Sequence, residues 1–147
     1  MMQAEEYLDR VKKIDAMIEN KLRDRAKWVE VAQSLGGDSD GDRVQSSRNL
    51  HRGADAIGNY IDLEREIEAL KAERAEIIKT IERLPVTEYD VVYKFYIQGY
   101  SIKEIAFEHR KSYEWVKLKK NNGLTLLQAM LDETMAQTSM ERQNNIF

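Results

Sequence analysis

The sequence predicts an all-α protein, in which a long N-terminal antiparallel helical hairpin or coiled coil precedes a small C-terminal helix-turn-helix domain. Charged residues make up 33% of the 147 residues, and there are only one proline and seven glycines. This composition is typical of long amphipathic helices. Apolar residues recur at spacings of three and four in the first half, and two short segments of the second half each begin with a capping serine.

The first helix is predicted over residues 3–35. Its apolar residues form one stripe, while the remaining face is rich in charged residues. The stripe consists of Leu8, Val11, Ile14, Ile18, Leu22, Val29 and Ala32. Gly36 and Gly37 follow, and two successive glycines end a helix.

A flexible loop is predicted at residues 36–54. Its acidic start has the aspartate spacing of a calcium loop, but Arg43 stands where an EF-hand requires glycine and Asn49 where it requires glutamate. The polar residues that follow have no helical period. We therefore expect a solvated connection without a metal site.

The second helix is predicted over residues 55–84 and has the most regular pattern in the chain. Spacings of four and three alternate along it, which is the heptad pattern of a coiled coil. The seam consists of Leu63, Ile67, Leu70, Arg74, Ile77 and Ile81. It can pack against the first helix or against the same segment of another subunit, and we expect both. Residues 1–84 are therefore predicted to form a homodimer or higher homo-oligomer.

Pro85 ends the second helix, because the residue before a proline is pushed out of the α-helical backbone conformation. It also begins the C-terminal domain, which is predicted over residues 85–131. After residue 131 the apolar period is lost. Residues 132–147 are therefore predicted to be a flexible tail.

The first helix of the C-terminal domain is predicted over residues 88–98 as a support helix. Thr87 and Asp90 lie three residues apart, which is a capping signal for its start. Gly99 follows at the position where a glycine ends a helix.

Two further helices complete the domain. Ser101 and Glu104 form a predicted capping box for the first of them, and Ser112 caps the second after a turn of three residues. Ala106 suits a close helix crossing, and Val116 is its predicted partner. Glycine at position 123, inside the second helix, costs about 1 kcal/mol relative to alanine. The expected core is Val92, Phe95, Tyr96, Ile105, Ala106, Val116, Leu124 and Leu127.

Positive charge is concentrated on the last helix and the turn before it. Residues 109–120 contain five Lys or Arg and one acidic residue, whereas the whole chain has a formal net charge of −3. A basic helix in an acidic protein is typical of a surface that faces phosphates. A solvated, lysine-rich helix face would have the same charge. In a helix-turn-helix this second helix enters the major groove, so double-stranded DNA is the predicted partner.

The second half resembles the fourth region of bacterial sigma factors, a helix-turn-helix that reads promoter DNA. The resemblance covers residues 84–127 and is carried by Leu84, Pro85, Glu88, Tyr93, Tyr96, Gly99, Tyr100, Ser101, Glu104, Ile105, Ala106, Ser112, Val116, Lys117 and Leu124. The first half contains YLDRVKKIDAMIENK, RVQSSR and GADAIGNYIDLEREIEAL in that order. Through these three segments and the second half together, the chain is similar to the RinA-like or ArpU-like late-gene regulators of phages and prophages of Gram-positive bacteria.

The resemblance implies a sequence-specific transcription regulator, an activator of phage or prophage late genes that acts at promoter DNA with host RNA polymerase. It places base reading on Tyr113, Glu114 and Lys117. Glu114 would accept a hydrogen bond from cytosine, and Lys117 would donate to guanine. Arg110 stands where the turn usually has glycine. The rest of the predicted DNA-binding set is Arg110, Lys111, Ser112 and Lys120.

Two other functions fit the same pattern. A small terminase subunit of a phage packaging machine also joins a helix-turn-helix to an oligomerising helical segment, although its DNA module commonly comes first. A helical adaptor would use the basic helix to bind an acidic protein. A ring of many subunits would indicate the terminase, and a lack of salt-dependent binding to duplex DNA would indicate the adaptor.

An enzyme is not predicted, and neither is a cofactor. His51 and His109 have no carboxylate, serine or second histidine at the spacing of a metal site or an activated nucleophile. The chain has no cysteine, which excludes disulfides and fits a reducing cytoplasm. It shows neither a signal peptide nor an apolar membrane span. We therefore expect a cytoplasmic protein, in the host bacterium if a phage encodes it.

Overall fold

The structure, a computed structural model, describes residues 2–36 and 47–145 and is all-α, which confirms the predicted fold class. No strand occurs in these ranges. None of the described helices combines the length and the apolar character needed to cross a membrane. The elements are α1 (Ala4–Gly36), α2 (Ser47–Glu82), α3 (Val86–Val92), a π-helical segment (Tyr93–Ile97), α4 (Ile102–His109) and α5 (Tyr113–Asn144).

The chain divides into two compact units. One combines Met1–Lys13 with Arg74–Phe147, and the other is Ile14–Glu73. This division does not coincide with the predicted boundary at Pro85. The start of α1 and the last turns of α2 belong to the unit that contains the C-terminal helices.

Within the unit Ile14–Glu73, α1 and α2 form an antiparallel hairpin. Lys21 Nζ lies 2.8 Å from Glu66 Oε2, and Arg25 Nη1 lies 3.0 Å from Glu64 Oε1. Residues later in α1 thus meet residues earlier in α2, which is the antiparallel arrangement that the sequence predicts. Each of these ion pairs is partly exposed and contributes little to stability, so burial of the apolar stripes holds the hairpin together.

The heptad seam of α2 is covered within the chain. Four of its members are at most 8% exposed, and the other two, Leu63 and Arg74, are half-buried. The buried members are Ile67, Leu70, Ile77 and Ile81. The sequence allowed the seam to pack inside the chain or against a second subunit, and packing inside the chain accounts for its burial. These side chains have no face left over for a second subunit.

In the other unit, the start of α1 is attached to α2 and α5. Tyr7 Oη donates a hydrogen bond of 3.1 Å to Thr80 Oγ1 of α2. The backbone N–H of Ala4 donates a 2.8 Å bond to Gln128 Oε1 of α5, which satisfies one of the free N–H groups at the start of α1. Leu8 is fully buried one turn further on.

Tyr96 in the π-helical segment is buried beside this same start of α1. Its hydroxyl donates a 3.4 Å hydrogen bond to Glu5 Oε1. The pKa of Tyr96 is raised to about 12, mainly by burial of the side chain and further by the negative charges of Glu5 and Asp9. The phenol therefore stays neutral and acts as the donor.

Parts of two predicted flexible segments are helical. α2 begins at Ser47, so the last part of the predicted loop is helix, and residues 37–46 lie outside the described residues. α5 continues to Asn144 through the predicted tail, whose side chains are exposed from residue 133 to residue 145. A lost apolar period removes the buried face of a helix. It does not remove the helix propensity of the Glu, Met, Ala, Gln and Arg residues that are present there.

The predicted cap of α3 is wrong. α3 begins at Val86 with Pro85 as its N-cap residue, and no side chain caps it. Pro85 has an extended backbone (φ −55°, ψ 149°), and its carbonyl accepts a 2.8 Å bond from the Tyr89 N–H. The helix therefore starts at Val86, two residues before the predicted start at residue 88. Gly99 has φ +76° after the π-helical segment, as a terminating glycine should.

Candidate nucleic-acid interface

The α4–turn–α5 unit is fixed at both helix starts by the predicted caps. Ser101 Oγ accepts a 3.1 Å bond from the Glu104 N–H, and the same hydroxyl donates to Glu104 Oε1 at 3.2 Å. Ser112 Oγ accepts a 3.1 Å bond from the Trp115 N–H. Both capping serines are confirmed, and residues 110–112 form the predicted three-residue turn.

The turn depends on a left-handed backbone conformation at Arg110. Its φ of 54° and ψ of 43° make it the one non-glycine residue with positive φ in the part of the chain that the structure describes. The Lys111 N–H donates to the Ala106 carbonyl at 3.0 Å, and the Arg110 N–H donates to the Phe107 carbonyl at 3.2 Å. This is a Schellman motif, in which a residue with a side chain occupies the glycine position.

We expect Arg110→Gly to raise the free energy of unfolding by about 0.5–1 kcal/mol. The left-handed conformation costs an L-residue about 1–2 kcal/mol, and the greater freedom of glycine in the unfolded chain returns part of that gain. Urea denaturation would measure the change. Arg110→Ala is the matched control, since it removes the guanidinium but keeps a Cβ atom. Equal stability of the two variants would contradict strain at this position.

A buried cluster holds the three helices of this module together. Val91, Ile105, Ala106 and Val116 form it. Ala106 and Val116 are thus in the same cluster, as their spacing predicts. Partly buried residues pack around it, namely Phe95, Ile102 and Trp115.

The predicted core of the module is correct for most of its members. Phe95 and Leu124 are only half-buried, whereas Val91, which the predicted core omits, is fully buried. Val91 and Val92 are adjacent and both buried, because Val91 faces the cluster and Val92 faces α5.

Gly123 is a packing residue of α5. A Cβ atom at this position would lie 2.6 Å from Val92 Cγ2 and 3.6 Å from the backbone oxygen of Glu88. Only a glycine lets α3 and α5 approach this closely. The helix-weakening glycine in the sequence is therefore the point where α3 crosses α5.

The base-reading side chains implied by the resemblance lie on the exposed first turns of α5. Tyr113, Glu114 and Lys117 are all exposed. Lys117 Nζ lies 5.6 Å from the centre of the Tyr113 ring, so the two side chains are neighbours. In the preceding turn Arg110 and Lys111 are exposed as well. All five residues are therefore exposed at the start of α5 or in the turn before it.

Lys119 and Lys120 differ from that set, because both are half-buried. Lys120 Nζ lies 4.7 Å above the ring of Phe95. Lys119 Nζ lies 3.5 Å from Glu88 Oε1 of α3. A phosphate contact by Lys120 stays a prediction, and Lys119 pairs within the chain.

Trp115 is a half-buried residue next to the turn that sequence reasoning missed. Lys111 Nζ and Lys119 Nζ lie 5.6 Å and 5.9 Å from its ring centre, and the ring of His109 lies 5.5 Å away. Cation–π attraction of this kind orients a lysine. The signal in the sequence is a tryptophan with lysines four residues before and four residues after it.

A polar network ties the end of α4 to α3 and the π-helical segment. Asp90 Oδ2 lies 2.6 Å from His109 Nε2 and 2.9 Å from Lys94 Nζ, which also lies 2.9 Å from Glu108 Oε2. The hydrogen bonds to Glu108 and Asp90 raise the pKa of Lys94, so its ammonium is charged at neutral pH. His109 therefore has a carboxylate partner, contrary to the sequence analysis, because folding brings together residues far apart in the chain.

The described residues contain no group of three or more histidine and carboxylate side chains arranged to hold a metal ion. Comparisons of this chain with protein-family models, with curated proteins and with solved structures give no match. A functional assignment therefore depends on the residues and geometry of the α4–turn–α5 unit.

Proposed function

We propose that this protein is a sequence-specific DNA-binding transcription regulator, which reads duplex DNA with the start of α5. The observation that supports the proposal most is a doubly capped helix-turn-helix with Arg110, Lys111 and Lys117 on its exposed surface. A rigid turn holds that surface in a constant orientation, and base reading requires such an orientation.

The residue types on this surface suit the chemistry of the major groove. Lys117 can donate to the acceptor atoms of guanine, and Glu114 can accept from the amino group of cytosine. The ring of Tyr113 restricts the ammonium of Lys117 to one side. The exposed Arg110 and Lys111 can contact phosphates, and the free N–H groups at the start of α5 favour an anion there.

The narrower proposal is an activator of phage or prophage late genes that works with host RNA polymerase in the bacterial cytoplasm. It is supported by the resemblance of both halves of the chain to the RinA-like or ArpU-like regulators. The sigma-like pattern of the second half supports action at promoters in particular.

Binding to tiled fragments of the genome that encodes the protein, at two salt concentrations, tests the proposal. We expect one preferred upstream fragment and an affinity that falls steeply with salt. Lys117→Ala should lower the affinity for that fragment by about 1–3 kcal/mol and relax its sequence preference. Lys120→Ala should mainly reduce the salt slope by about one unit.

Lys71→Ala is the matched control, because this lysine is exposed on α2 and pairs with Glu68 at 3.6 Å. It should change neither quantity. Equal effects of Lys117→Ala and Lys71→Ala would exclude α5 as the reading helix. A ring of many subunits with a preference for packaging-site DNA would indicate a terminase subunit, and no binding at either salt would indicate a protein-binding adaptor.

A further inference from the structure

The hairpin unit Ile14–Glu73 has one apolar side that none of the described residues covers. Among the side chains of this unit that the structure describes, four large hydrophobic ones are exposed, namely Leu22 (38% exposed), Val29 (36%), Ile57 (56%) and Ile61 (44%). Together with Ala32 and Tyr60 we call these four residues the apolar flank.

The apolar flank is a continuous surface. Val29 and Ala32 of α1 line one shallow depression together with Ile57 and Tyr60 of α2. Leu22 lies seven residues before Val29 and therefore on the same face of α1. Ile61 lies one turn after Ile57 and extends the surface along α2.

The opposite flank of the same hairpin is more polar. The depression there is lined by five charged or amide side chains and three apolar ones, which are Asp24, Lys27, Asn59, Asp62, Glu66, Trp28, Val31 and Leu63. A helix pair with one flank more apolar than the other is typical of a layer whose more polar flank faces solvent. The apolar flank therefore needs a cover, since contiguous exposed apolar surface of this kind marks an interaction site.

Arg25 of α1, which lies beside the apolar flank, is already paired within the chain. Arg25 meets Glu64 at 3.0 Å, and its guanidinium lies 5.6 Å from the centre of the Tyr60 ring. The flank therefore matches an apolar and electrically neutral partner better than DNA or an acidic protein. Residues 37–46 have the sequence GDSDGDRVQS, with Val44 as the one large apolar residue. That composition does not supply an apolar cover.

A second copy of the flank has the required chemistry and size. It is apolar in the same places, so two copies match about a two-fold axis. The part of α1 in this unit is about 35 Å long at 1.5 Å per residue, and two helices are about 20 Å wide. The apolar flank is a part of this face, and a contact over the whole face covers about 700 Å² on each partner, or about 1,400 Å² in total, which is within the range of stable interfaces.

We propose that the apolar flank is the contact between two copies of this chain, which pack hairpin on hairpin as a four-helix bundle. The four buried residues of the heptad seam have no part in this contact, because they are covered inside each chain. The proposal does not depend on DNA reading. A dimer would nevertheless assist DNA reading, since it would present two copies of α5 to the DNA.

Sedimentation equilibrium over a range of protein concentrations tests this contact. We expect the unaltered chain to be a dimer. Substituting both Ile57→Asp and Ile61→Asp should weaken dimerisation by at least about 100-fold, because each buries a charge in the contact. Lys27→Asp is the matched control, since it adds the same negative charge on the polar flank, and it should leave the dimer intact.

A second measurement covers the case in which the double variant fails to fold. The chain has no cysteine, so Ile61→Cys and Asp62→Cys each introduce a single thiol on one flank. Alkylation of the first thiol should slow as the protein concentration rises, and that of the second should not. A monomer at every concentration, a dimer that survives both aspartates, or a thiol at position 61 that is never protected would each overturn the proposal.

Discussion

Replacing Leu70 by alanine is expected to lower the free energy of unfolding by about 2–4 kcal/mol. Leu70 is 8% exposed in the hairpin, where it belongs to the α2 seam. Its truncation removes buried apolar surface and leaves a cavity that the two helices can fill only in part. Urea denaturation followed by circular dichroism, at one protein concentration for all variants, measures the loss.

Leu118→Ala is the control for this change, because the same atoms are removed from a side chain that is 56% exposed on α5. Its effect should stay within about 0.5 kcal/mol. If Leu70→Ala altered the number of subunits and left the stability of the chain unchanged, the seam would be a contact between subunits, and packing inside one chain would not explain it.

Replacing Gly123 by alanine is expected to lower the free energy of unfolding by about 1–2 kcal/mol. The new Cβ would lie 2.6 Å from Val92 Cγ2, and Val92 is fully buried. A valine has little rotamer freedom in a helix, so the clash must move α3 away from α5. Overpacking of this kind costs about 1–3 kcal/mol, which exceeds the gain of up to about 1 kcal/mol in helix propensity.

The same substitution at Gly58 should have the opposite sign. Gly58 lies inside α2, and a Cβ atom built there has nothing within 4 Å. Gly58→Ala should therefore stabilise the protein by up to about 1 kcal/mol through helix propensity alone. Thermal unfolding of the two variants compares them directly. Stabilisation by both alanines would mean that α3 and α5 do not cross closely at Gly123.

The elements that the sequence predicted best depend on interactions between residues close in the chain. The caps by Ser101 and Ser112 each join atoms three residues apart. The terminating glycine Gly99 requires only its own backbone conformation. Local chemistry of this kind is fully present in the sequence, so the positions of α4, the turn and the start of α5 could be predicted.

The long helices were predicted as elements, but their ends and partners were not. A heptad pattern states that a face is buried, and it does not state whether the same chain or another one buries it. The structure assigns Ile67 and Leu70 to the interior of one chain. Likewise, the loss of apolar period after residue 131 predicts exposed side chains, and α5 still continues to Asn144.

By itself, then, the sequence determined the helical class, the capped α4–turn–α5 unit and the excess of cations at the start of α5. Only the tertiary structure decided which residues of different helices are in contact. Gly123 packs on Val92, Asp90 pairs with His109, and side chains of α1 and α2 together form the apolar flank. Each of these joins residues far apart in the chain, and such contacts depend on how the helices pack, which the spacing of residues along one helix does not specify.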